Sequence, residues 1–178
     1  MKSWYGLQNV FRDMLVADTN NIVAAEALNA GTPITCGIAA QTDVPRNIII
    51  TVTDGDVGIS AFQIDIVGTN AKGDAATEQF VFGDGLVQTG NVIWAFITSI
   101  TVTSITGAGA GDVLDVGSGS RVGVSNGIHS TGSVYKVQKN NAHMAVADYT
   151  VNTTYDSVDL STGGAIGAGD DFTIWYYT

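Results

Sequence analysis

From Thr32 onward, apolar and polar residues alternate with a period of two in short runs rich in β-branched side chains, and Gly, Asp and Asn separate the runs. The alternation is cleanest where Phe62, Ile64 and Ile66 interleave with Gln63, Asp65 and Val67, and where Ile100, Val102 and Ser104 interleave with Thr101, Thr103 and Ile105. Successive strand side chains point to opposite faces, so such runs pack one face and line the other with threonines. Strands are predicted at Ile34–Ala40, Arg46–Thr53, Ile59–Gly68, Thr77–Phe82, Val92–Thr106, Val113–Val116, Arg121–Val124, Ser133–Gln138, Met144–Val151, Ser157–Leu160 and Phe172–Tyr177. The run Val92–Thr106 exceeds an ordinary strand, and a bend or break is expected near Thr98–Ser99. Ile50, Val52, Phe62, Ile64, Ile66 and Val102 form the predicted inward-facing set.

The first 31 residues read differently. Trp4, Leu7, Phe11 and Met14 are spaced three, four and three apart, which places them on one face of a helix. That stripe suits either a short helix closing the chain's own core or an arm docked onto a neighbouring subunit, and these four residues are the candidate interface. Ala24, Ala25, Glu26, Ala27 and Leu28 supply further helical turns before Asn29 and Gly31 stop them. The expected layout is an arm, helical or extended, over 1–31, a β-sandwich domain over 32–124, and carboxy-terminal strands over 125–178. The last part forms either a second lobe or the completion of the same sandwich, with Gly123-Val124-Ser125-Asn126-Gly127 at the boundary.

Turn chemistry fits this reading. Asp54-Gly55 and Asp84-Gly85 tolerate positive φ, and Asn70–Gly73 and Gly107–Gly111 are loops of the same kind. Turn signals recur at the rhythm of antiparallel hairpins, and no amphipathic helical pattern separates the strands as a parallel architecture requires. The predicted fold class is all-β, an antiparallel β-sandwich or barrel-like domain.

Charge and composition narrow the function classes. Charged residues make up 13% of the 178, about half of the roughly 25% usual for soluble domains. Much of the surface is therefore neutral, which suits a protein held among neighbours. Seventeen acidic against seven basic residues give a net charge of −10, whose field repels phosphate backbones and anionic membranes. No nucleic-acid partner and no membrane span are expected. Gln8, Asn9, Arg12 and Asp13 interrupt the apolar core a signal peptide would need. The single cysteine, Cys36, cannot form an intrachain disulfide and reads as a small buried hydrophobe.

Catalytic motifs are missing from the sequence. His129 lies in a Gly/Ser loop and His143 opens a predicted strand, and neither belongs to a nucleophile, zinc or metalloprotease pattern. Gly107–Gly111 lacks the Lys-Ser/Thr of a phosphate-binding loop. Asp54 and Asp56 have the spacing of a calcium loop without its remaining ligands, and Asp170-Asp171 forms a second acidic turn; solvated turn carboxylates account for both. No enzyme activity, cofactor or metal is expected.

The stretch Val44-Pro45-Arg46-Asn47-Ile48-Ile49-Ile50-Thr51-Val52-Thr53-Asp54 resembles a recurring phrase of tailed-bacteriophage virion proteins. The likeness continues through Ile64–Gly73, Thr77–Phe82, Ile97–Val102 and Gly107–Gly117, and the strands around Tyr149–Leu160 and Phe172–Tyr177 resemble phage head and tail modules. It implies a virion structural protein of the capsid-decoration or auxiliary head type, made in the host cytoplasm and located in the virion. Its expected partners are the major capsid protein or other virion subunits, in a homo-oligomer with a trimer the first expectation. The alternative within this class is a tail, neck or head-fibre component. From a different class comes a carbohydrate-binding β-sandwich with Trp94, Trp175, Tyr176 and Tyr177 as an aromatic platform.

Overall fold

The computed structural model describes residues 6–163 and 166–178. The chain is all-β, and its antiparallel sheets pack as a sandwich-like fold. In chain order the strands are β1 (Gly6–Met14), β2 (Asp18–Ala27), β3 (Ile34–Thr35), β4 (Arg46–Thr53), β5 (Ala61–Asn70), β6 (Ala75–Val81), β7 (Val87–Thr89), β8 (Trp94–Thr106), β9 (Val113–Gly123), β10 (Val134–Lys139), β11 (Ala142–His143), β12 (Thr150–Asn152), β13 (Ser157–Asp159) and β14 (Asp170–Tyr177). Among the described residues no helix is long and apolar enough to cross a membrane.

Two hydrophobic cores organise these strands. Around the first, β2, β9, β4 and β7 form one layer and β3, β8, β5 and β6 form the other. The two layers share a single ladder position, Arg46 opposite Trp94. Their inner faces bury Ile22, Ile48, Trp94, Ile100, Leu114 and Val116 together with the six residues expected inside, Ile50, Val52, Phe62, Ile64, Ile66 and Val102. β8 runs unbroken for 13 residues, and the bend expected near Thr98–Ser99 is a bulge. Val67 faces Ser99 and Gly68 faces Ile97, so Thr98 is the extra residue. Gly68 permits this close approach, because a Cβ there would lie 2.1 Å from the Phe96 carbonyl oxygen.

The second core lies beneath a four-stranded sheet of order β1-β14-β10-β11, with β13 and the end of β9 contributing the opposing side chains. Phe11, Met14, Val122, Val137, Val158, Leu160, Phe172, Ile174 and Tyr176 are buried in it. β9 therefore serves both cores, through Leu114 and Val116 in the first and Val122 in the second. The sequence reads β9 as two strands because Gly117-Ser118-Gly119-Ser120 looks like a turn. These glycines are instead sites of close packing: a Cβ on Gly117 would meet the Asp18 carbonyl oxygen at 1.8 Å, and one on Gly119 the Asn47 amide at 2.5 Å.

The amino-terminal segment corrects the helical expectation. Gly6–Met14 is a strand paired along β14, from Gly6 opposite Tyr177 to Met14 opposite Asp170. Leu7, Asn9 and Phe11 alternate inward as strand residues do. The odd step from Phe11 to Met14 is absorbed by a register shift, with Asp13 at φ 49°. A strand with one bulge thus reproduces the three-and-four spacing of a helix. The same holds for Ala24–Leu28, where β2 shifts register against β9 and Ala25 takes φ 51°. The predicted strand Met144–Val151 is broken into the end of a hairpin, a 3-10 turn at Val146–Asp148 and the short β12.

Candidate interaction surfaces

The proposed interface residues do not form one surface. Phe11 and Met14 are sealed into the second core, at 4% and 0% exposure, and Leu7 packs against its margin, while Trp4 lies outside the described residues. Phe11 and Met14 therefore have no free surface with which to dock. Among the exposed apolar side chains of this region, Val10 is 45% exposed on β1, and Leu15 and Val16, in the crossover from β1 to β2, are 50% and 46% exposed. The crossover is fixed by Asp43, whose carboxylate accepts the Leu15 N–H at 2.7 Å and the Arg46 Nη1 at 3.0 Å. Arg46 itself is wholly buried, and desolvation pulls its pKa down against the opposing pull of Asp43.

A groove runs along the seam between the two cores. One end is an apolar cleft of about 330 Å³, lined by Val16, Ala17, Ile49 and Ile166 with Ser120 and Ser161. Ile49 and Ser120 also line an adjoining polar hollow of about 360 Å³, to which Asn47, Arg121 and Asp159 contribute. Its polar groups are internally paired. Arg121 Nη2 donates to the Gly90 carbonyl at 2.7 Å, and the Ser120 hydroxyl donates to Asp159 at 2.9 Å.

The outer face of the four-stranded sheet carries aromatic rings. Of the four aromatics expected to form a platform, Trp94 and Tyr176 are fully buried, and the Tyr176 hydroxyl donates to Asn9 Oδ1 at 2.7 Å. Trp175 and Tyr177 alternate outward along β14. Tyr135, which the sequence did not single out, joins them from β10. Between Val134 and Lys136 the register against β14 slips by one residue, so the bulge turns the neighbouring side chains of Tyr135 and Lys136 to the same face. Tyr135 stacks on Tyr177, with centroids 4.6 Å apart and planes inclined at 27°. Lys136 Nζ lies over the Trp175 ring, 4.4 Å from its centre. The Val134-Tyr135-Lys136-Val137 pattern holds the signal: two non-core residues between core valines where strict alternation allows one.

The acidic turns are structural in geometry. Asp54, Asp56 and the buried Asp112 bring carboxylate oxygens within 4.8 Å of one another, a donor set suited to a hard cation. Each carboxylate is engaged by backbone amides: Asp54 accepts from Gly58 and Ile59, Asp56 from Gly58, and Asp112 from Gly55 and Gly109, the last two at 2.7 Å. The cluster ties the 54–58 loop to the glycine loop at 107–111. Asp170 is similarly engaged. Burial opposes its charge, yet bonds from Lys139, Asn140 and the Gly167 N–H hold its pKa below the ordinary value.

The remaining titratable candidates lie apart. His129 is exposed in the loop before β10, and His143 is exposed at the end of β11. Burial, then Glu26, pushes the Cys36 thiol up to about 11, which keeps it protonated and unreactive at neutral pH. Burial also raises the pKa of Glu78, against hydrogen bonds from the Asn91 and Val92 amides and the Trp94 indole. No protein-family model, curated protein or solved structure matches this chain.

Proposed function

We propose that this chain is a virion structural protein that decorates or cements a phage capsid through protein–protein contacts. The observation that carries this reading is the seam groove, an apolar cleft lined in part by the exposed Val16 and adjoining a polar hollow, with the exposed Leu15 next to Val16 in the chain. An apolar centre with a polar margin is the usual anatomy of an interface between folded proteins. The low fraction of charged residues and the phage-like phrase at Val44–Asp54 point the same way. Docking here replaces the role first assigned to Phe11 and Met14: the crossover after β1, rather than β1's inward stripe, meets the neighbouring subunit.

The test pairs particle binding with location. Leu15→Asp combined with Val16→Asp should leave the melting temperature within a few degrees of the parent, because both side chains are exposed, and should abolish binding to shells that lack the chain. Reconstruction of native particles should place the chain in many copies on the shell exterior. Density confined to a tail or neck would transfer the chain to that role, and unchanged shell binding by the double variant would remove the seam as the docking surface.

A further inference from the structure

We infer that the outer face of the β1-β14-β10 sheet binds an acidic glycan, with pyranose rings on the Tyr135–Tyr177–Trp175 platform and a sugar carboxylate on Lys136. This goes beyond a scaffolding role and uses a different surface from the seam. A bulge marks the platform as built rather than incidental. The β10 bulge spends a residue of register to bring Tyr135 out beside Lys136. Bulges of this kind re-aim side chains at functional sites.

The chemistry around the rings selects the ligand. A pyranose offers a face of C–H groups and an edge of hydroxyls. The C–H face meets the electron-rich face of an aromatic ring, and the hydroxyl edge needs donors and acceptors beside it. Gln8 and Thr173 provide these: Gln8 lies opposite Trp175 on β1, and Thr173 is the next outward residue along β14. The charge follows from Lys136. Its ammonium rests on the Trp175 ring, and no carboxylate holds it among the described residues. A ligand carboxylate can take it up without breaking an ion pair; the chain's net charge of −10 opposes an anionic ligand at long range, so the pairing acts at contact distance.

The intact chain would be titrated by calorimetry with hexasaccharides of galacturonate, alginate and hyaluronan, and with neutral maltohexaose. At least one acidic probe should bind at least tenfold more tightly than maltohexaose, and Lys136→Gln should remove that preference. Tyr177→Ala, Tyr135→Ala and Lys136→Gln should each weaken that binding about tenfold or more, while Val16→Asp, on the seam, leaves it unchanged. Should a tyrosine variant fail to fold, NMR shift changes on the unaltered chain must cluster on β10 and β14. Absence of binding to every acidic probe, equal binding of maltohexaose, or shift changes mapping elsewhere would each overturn the proposal. Particle attachment through this face without glycan binding would assign it to a protein partner instead.

Discussion

Arg46 shows how one residue holds the two cores in place. Its backbone is the ladder position shared by β4 with both β8 and β9, opposite Trp94 and Val122. Its side chain is fully buried, with Nη1 on Asp43 and with Nε and Nη2 lacking partners among the described residues. The Asp43 backbone faces solvent, but its side chain is only 12% exposed and reaches inward to the guanidinium and the Leu15 amide. A buried ion pair costs most when one partner is removed, and often little when both partners are replaced by apolar groups. Asp43→Ala should therefore destabilise the fold by about 3–5 kcal/mol, whereas Asp43→Ala combined with Arg46→Met should stay within about 1 kcal/mol of the parent or exceed it. Urea denaturation of the two variants distinguishes them. Equal losses would mean that Arg46 contributes through contacts other than the Asp43 pair.

At the scale of elements, β1 belongs to the fold's far end. It closes the carboxy-terminal sheet by pairing with β14, and its inward residues complete the second core. Removing residues 1–14 should strip the cover from Phe172, Ile174 and Tyr176, and Phe11→Ala alone should cost about 3–5 kcal/mol. Near-ultraviolet circular dichroism from the Tyr135, Tyr177 and Trp175 cluster should collapse on truncation, together with a fall in melting temperature. If the truncated chain kept its near-ultraviolet signal and its melting point, β1 would be an accessory strand. The helical stripe was misread because periodicity records which residues are inward, and a bulge changes the step between inward residues without changing their number.

For the whole molecule the decisive strand is β9, which passes from one core to the other through glycines packed against β2 and Asn47. A methyl group on Gly117 would overlap backbone, which cannot move away as a flexible side chain could. Gly117→Ala should cost about 1–3 kcal/mol, the range for overpacking a tight site. Because β9 joins both cores, the two should continue to melt together. Separate transitions for the two cores in calorimetry would show that β9 does not couple them, and an unchanged midpoint would show that β2 can yield at Asp18.

Local pattern alone determined the all-β class, the span of β4, the inward residues of β5 and, on β8, Ile100 and Val102, but a register shift at Thr103 turns Ser104 outward and Ile105 toward the core. Alternation is a property of neighbours in the chain, and burial of one strand face follows from it directly. The same pattern determined that Trp175 and Tyr177 share a face, but it gave Tyr176 and Trp94 equal standing with them. Which aromatics are exposed depends on which side of a sheet is covered, and that is set by β1, β10 and β13, strands far from one another in sequence. Bulges, close-packed glycines and a terminal strand paired across the whole chain length were decided only in three dimensions. In each, the partner that fixes the residue's role is remote, and a single sequence holds no record of that distance.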